Sequence, residues 1–416
     1  MSEIHGIKYF TREAIGNIRQ LNRQNPNIKI FILYGLLFDT MLNAYRPMAV
    51  KFLERVGGQA FEISLFFSLP GLVAAIVLFP GSVFLSRLKS KKNVTSILFL
   101  LSRCLILSLA FIPLWPAHMR PLVFVMTIAA INLPESLAQA SFQSILGTVF
   151  PGGQRAKAIA LRNKFGNIMI PLVTLSTGVL ITFAPRTQRH YIMCYQAIFV
   201  FSFLVGLAEI FVFRKFREEK AEEESNPTDF SIIKTVMRDK KFRSYLVLTI
   251  MFQFSWMAGW PLHNIFQIQY LGANEIWLAS FTVASGLSAF LTAGLWPKII
   301  RKHGDYKALF MATISMAISM TLVALCPNLP TLLLINFWSG FALIGVNTTI
   351  LNGLLASTPD QNRIVYIGIY NTFANISLFI SPLFSNLMLR HFGLSASLLV
   401  VAAMRAITSL NIYRKC

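Results

Sequence analysis

Two acidic residues of this chain sit inside apolar runs, each with polar neighbours at helical spacing. Asp39 lies in "YGLLFDTMLNAYRPMAV" and is followed by Asn43 and Arg46. Residues i, i+4 and i+7 share one helix face, so the three form a polar stripe. Asp39 and Arg46 are then about 10 Å apart along the axis, too far for a tight pair. A second stripe is Asn132, Glu135, Gln139 and Gln143. Pro134 precedes Glu135 and is expected to open the helix locally and free a carbonyl. A carboxyl in an apolar medium exchanges protons when burial penalises its charge and a nearby cation restores it. Asp39 and Glu135 are therefore the expected proton-coupling residues. Each has a structural alternative: Asp39 as the buried partner of an arginine, Glu135 as an interhelical hydrogen-bonding group.

Elsewhere the chemistry-bearing residues are uncharged. In "MFQFSWMAGWPLHNIFQIQY", Phe252, Trp256 and Trp260 share a face, as do Gln253, Met257, Trp260 and Asn264. Asn336, Asn347, Asn371 and Asn375 add amides. Aromatic rings with sparse polar groups suit an amphipathic organic ligand, with ordinary helix packing as the alternative. Arg46 either meets an anionic substrate group or reaches the interface. The expected substrate contacts are Asn43, Arg46, Asn132, Gln139, Asn167, Gln253, Trp256, Trp260, Asn264, Asn347, Asn371 and Asn375. Arg103 needs a partner, and Glu135 is one option. Arg405 is expected to snorkel toward the near interface. Glu209, close to Arg214, reads as interfacial, and Glu62 and Glu275 as helix-start acids. The six histidines and four cysteines form no metal-ligand pattern, and no GxxxxGK[ST] loop is present. No metal, no cofactor and no enzymatic activity are expected.

The elements that carry these residues follow from composition. Of 416 residues, 55% are hydrophobic and 13% charged, about half the charge of a soluble chain. Apolar runs of about 20 residues recur, enough to cross a bilayer core of about 30 Å. The reading is an all-α membrane protein with twelve spans, near 28–50, 60–84, 94–114, 120–146, 163–184, 191–213, 243–264, 275–297, 306–326, 330–356, 363–389 and 394–412. The net charge of +21 is confined mostly to the gaps, so it orients the chain and does not imply nucleic-acid binding. With the N-terminus inside, 29 Lys and Arg fall on the cytosolic side and six on the other. Both termini are expected in the cytosol, and no cleavable signal peptide is visible. Residues 1–27 form a cytosolic segment with the spacing of an interfacial helix. Residues 28–213 form one six-helix bundle, 214–242 a cytosolic linker and 243–416 a second bundle. Within the linker, "SIIKTVMR" has the pattern of a short surface helix.

The halves repeat. "VFPGGQRAKAIALRNKFGNI", from Val149, aligns with "STPDQNRIVYIGIYNTFANI", from Ser357, at an offset of 208 residues. Asn163 meets Asn371 and Asn167 meets Asn375. A second match has offset 214: Pro47 with Pro261, Gly58 with Gly272, Arg87 with Arg301. Two matches in the right order indicate duplication. Basic loops follow spans two and eight: "SVFLSRLKSKK" and "PKIIRKHGDYK". Six plus six spans, a long central loop and these basic loops resemble the major facilitator superfamily. That family's loop reads Gly-x-x-x-Asp-Arg-x-Gly-Arg-Lys. Here Arg87 and Lys91 remain in the first copy, and Lys302 and Gly304 fit in the second. Ser86 and Arg301 replace the acids. The resemblance implies gating loops at Arg87, Lys302 and Gly304 and a cavity between the halves lined by spans one and four. It implies a monomeric secondary transporter of the cytoplasmic membrane that moves a small organic solute by alternating access with protons. Export by antiport is the expected direction, and uptake by symport the alternative. A non-transporting receptor or scaffold on the same fold is the reading from another class.

Overall fold

The structure, a computed structural model, describes residues 25–86, 91–150, 154–183, 187–217, 236–359 and 363–415. Most of the N-terminal segment, Arg87 and most of the central linker lie outside the described residues. The first span is α1 (Asn27–Tyr45), a 3₁₀ turn at Arg46–Met48 and α2 (Ala49–Arg55). Pro47 lacks the N–H that would continue α1, which accounts for the break. Then come α3 (Ala60–Ser86), α4 (Lys91–Ser108), α5 (Arg120–Val149), α6 (Gln154–Phe183) and α7 (Gln188–Phe213). The second half holds α8 (Lys240–Ile265), α9 (Glu275–Thr292), α10 (Trp296–His303), α11 (Asp305–Ala324), α12 (Leu329–Ala356) and α13 (Arg363–Tyr413). The described residues contain no strand.

Ten helical stretches among the described residues are long and apolar enough to cross a membrane. The last, α13, has 51 residues, about 77 Å at 1.5 Å per residue, more than twice a bilayer core. Gly393, at φ 74° and ψ 176°, breaks it. Many outward side chains are apolar and exposed, among them Phe183, Leu334 and Leu114, as lipid contact requires. α5 runs through Pro134 without ending, and the proline has no N–H to give the Ala130 carbonyl.

The buried apolar residues show how the halves meet. One cluster, from Ile28 to Phe216, belongs to the first half, and another, from Val236 to Ile412, to the second. A third draws on both, joining Met41–Val56 and Phe199 to Leu262, Ala273, Leu278 and Val401. The halves thus share a core at the end where α2 finishes and α9 begins, and keep separate cores at the other. Gly178 of α6 permits the approach: a Cβ there would lie 2.7 Å from the Ala279 Cβ.

Candidate functional site

A cavity of about 700 Å³ lies between the halves, within the range of small-molecule sites. The first half contributes Arg46 from the turn after α1, Arg103 from α4, and Asn132 and Glu135 from α5. The second half contributes Trp260, His263, Asn264 and Gln267, with Asn336 from α12. Tyr45, Phe66 and Phe67 form part of the apolar wall. Gln267 lies in a π-helical turn, Phe266–Tyr270, that ends the α8 segment. Such turns often mark functional sites. His263 and Gln267 are hydrogen-bonded to each other.

Two carboxylates share the Arg103 guanidinium. Arg103 Nη1 lies 2.5 Å from Glu135 Oε2. Its Nη2 lies 2.9 Å from Glu209 Oε2, and its Nε 3.1 Å from the same oxygen. Ser102 Oγ donates to Glu135 Oε2 at 2.7 Å, and Gln139 Nε2 donates to Oε1 at 3.0 Å. Arg103 and Glu209 are almost wholly enclosed, whereas the Glu135 side chain keeps 20% of its surface exposed. Glu135 is thus the face that this cluster shows to the cavity. The interfacial reading of Glu209 is overturned: it sits inside the bundle because α7 packs on α4. Gly206 makes room, since a Cβ there would come within 2.6 Å of Arg103 Cδ.

Asp39 is placed differently. It is buried, off the cavity wall, and Arg162 Nη2 of α6 donates to its Oδ1 at 2.6 Å. Its Oδ2 has no hydrogen-bond partner among the described residues. Arg162, one residue before the span expected at 163–184, lies within α6. The repeat gives this pair a counterpart. By the two offsets Asp39 corresponds to Gln253 and Arg162 to Tyr370, and Gln253 Nε2 donates to the Tyr370 hydroxyl. The same helix joint is ionic in one half and neutral in the other.

Of the expected substrate contacts, Arg46, Asn132, Trp260 and Asn264 line the cavity. Asn43 Nδ2 turns back to the Asp39 carbonyl, and Gln139 supports Glu135 from behind. Gln253 is buried against Tyr370, and Trp256 packs within the second half's core. Asn167, Asn347, Asn371 and Asn375 are off the cavity wall. Lys302 is exposed, and Gly304, at φ 80°, turns the chain into α11. Arg405 does not snorkel. It points into the second bundle and donates to the carbonyls of Trp256 at 2.9 Å and Met316 at 3.2 Å. Gln267 and His263 are absent from the expected contacts; their spacing of four on one face was the available signal.

The two tryptophans should therefore separate. Trp260 sits against Phe67 of the other half, with ring centroids 6.0 Å apart, while Trp256 stacks on Phe252. Trp260→Ala is expected to weaken ligand binding at near-normal stability. Trp256→Ala is expected to cost up to about 3 kcal/mol of stability. Thermal melts with and without ligand separate the two, and equal behaviour of the variants contradicts the assignment.

At the closed end, Glu275 bridges the halves. Arg55 Nε lies 2.6 Å from Glu275 Oε1, and its Nη2 donates to Oε2 at 3.1 Å. The Tyr195 hydroxyl donates to Oε1 at 2.9 Å. The Arg55 guanidinium also lies 3.8 Å from the Tyr191 ring centroid. Glu275 is fully buried, so it does more than start a helix. Glu62 keeps its expected role, accepting from the Gln59 N–H at 2.9 Å.

A family model described as Major Facilitator Superfamily matches residues 31–382. No curated protein sequence matches the chain. Among solved structures, the nucleoside transporter NupG is similar at TM-score 0.76 and 10% identity, covering 94% of this chain and 99% of that one. A bacterial homologue of the human lysosomal transporter Spinster, inward-facing and unoccupied, is similar at TM-score 0.69 and 12% identity, covering 93% and 95%. A D-xylose–proton symporter is similar at TM-score 0.68 and 16% identity, covering 93% and 96%. At these identities the likeness is one of fold.

Proposed function

We propose that this chain, which belongs to the major facilitator superfamily, works as a proton-coupled antiporter of a small organic solute. It is a multi-pass membrane transporter and not an enzyme. The observation that carries the coupling is the Glu135–Arg103–Glu209 cluster. Fully ionised, it holds two negative charges on one positive charge inside an apolar medium, where uncompensated charge is costly. It is relieved by one proton or by one cationic donor from a ligand. Of the two carboxylates only Glu135 lines the cavity, so proton and solute compete there. Mutually exclusive occupancy gives exchange, and exchange against an inward proton gradient gives export.

The remaining parts fit alternating access. Twelve crossings follow if α8 spans and α13 crosses twice. With both termini cytosolic, as the Lys and Arg distribution favours, the shared core and the Arg55–Glu275 tie lie at the outer end. The cavity then opens inward. Asp39, expected from sequence to share the coupling, is left as the tie between α1 and α6.

Reconstituted protein and a ligand found by thermal-shift screening test this reading. A pH gradient should drive ligand flux in the wild type. Glu135→Gln should abolish gradient-driven flux and weaken binding. Glu209→Gln should keep binding, because Glu135 still faces the cavity, and lose the pH dependence. Wild-type flux with unchanged pH dependence in both variants rejects the proposal.

A further inference from the structure

We infer that the cavity takes a zwitterionic solute with an apolar or aromatic body, its ammonium group on Glu135 and its anionic group on Arg46. This rests on the antiport reading for the first contact and on a separate observation for the second. Arg103 uses Nε, Nη1 and Nη2 on Glu135, Glu209 and Ser102, which leaves it nothing for a ligand. Arg46 lines the same cavity and is exposed, and its guanidinium makes no hydrogen bond or ion pair among the described residues. The wall therefore has two poles: a carboxylate cluster that, fully ionised, carries one negative charge in excess, and a guanidinium that meets no partner among the described residues.

Charge balance then selects the ligand. A neutral solute leaves both poles unmet. An anion satisfies Arg46 alone, and a cation Glu135 alone. A solute with both charges satisfies each by a charge-assisted hydrogen bond. The body between them meets Tyr45, Phe66, Phe67 and Trp260. The repeat places Arg46 opposite Trp260 at the offset of 214, so one half offers a charge where the other offers a ring. The other titratable groups around Glu135 are Arg103 and Glu209 behind it, Tyr34 and Tyr45 of α1, and His263 across the cavity. None of these supplies a free cation, which leaves the anionic pole to Arg46.

Binding to the purified full chain tests the inference with defined probes. Phenylalanine and the dipeptide phenylalanylalanine are each compared with the N-acetylated form (anion only), the C-terminal amide (cation only) and the doubly blocked form. For at least one of the two lengths, the zwitterion should bind at least about tenfold more tightly than each blocked form. Arg46→Gln should erase the preference over the amide, and Arg46→Lys should restore part of it. Glu135→Gln should erase the preference over the acetylated form. Equal binding of a blocked form to the wild type, an unchanged preference in either neutral variant, or no binding by any probe overturns the inference. Zwitterion binding without proton release would reject antiport and leave this inference standing. Proton-driven flux of an uncharged solute would do the reverse.

Discussion

Arg103→Ala is expected to cost about 3–5 kcal/mol of stability, the usual result of removing one partner from a buried ionic cluster. Arg103 and Glu209 are almost wholly enclosed, and Glu135 stands 2.5 Å from the same guanidinium. Without it, two carboxylates face each other in an apolar bundle. A thermal melt in detergent should fall well below that of the wild type. The cost comes from the charge left behind and not from lost volume. Arg103→Leu combined with Glu135→Gln and Glu209→Gln should therefore recover much of it. An Arg103→Ala protein as stable as the wild type would contradict the cluster, and a triple variant no better than the single would assign the loss to packing.

Glu275→Gln should open the end that Arg55 closes. The bidentate contact, at 2.6 and 3.1 Å, and the Tyr195 hydroxyl bond all converge on Glu275, which joins one half to the other. A neutral amide keeps the shape and loses the ionic term. A shift of about 1.4 kcal/mol in the closed–open balance changes the open population tenfold. A single cysteine at Val50, a buried cavity-wall residue, can report it after the native cysteines are replaced. Labelling by an impermeant thiol reagent from the Arg55 side should accelerate about tenfold in Glu275→Gln. Unchanged labelling of a folded variant would show that the shared apolar core seals this end without the ion pair.

The helical membrane fold was legible because it depends on quantities that survive averaging: run length, charge scarcity and Lys/Arg asymmetry. Proline was less legible: α1 ends just before Pro47, whereas α8 runs through its repeat partner Pro261, and the sequence reading carries one span across each. The contacts that define the site were not legible. The fifth span, read from residue 163, leaves Arg162 in the preceding gap, yet α6 begins at Gln154 and carries it to Asp39, 123 residues away in sequence. Glu209 was read as interfacial from its closeness to Arg214. Its burial is decided by α4, which no local pattern of α7 reveals. Gly206, three residues earlier on the same face, was the trace of a side chain packed there. The amides shared Trp260's difficulty: face periodicity shows which residues lie together but not which neighbour they meet. Asn264 and Gln253 share a face of α8, yet only Asn264 lines the cavity.

The central claim is that proton and solute exchange at Glu135. It is tested most directly by measuring proton release when the screened ligand binds to purified protein in weakly buffered solution. The account predicts that wild-type protein releases protons into solution on binding near neutral pH, and that Glu135→Gln releases none. Ligand binding to the wild type without proton release, or undiminished release from Glu135→Gln, would contradict it.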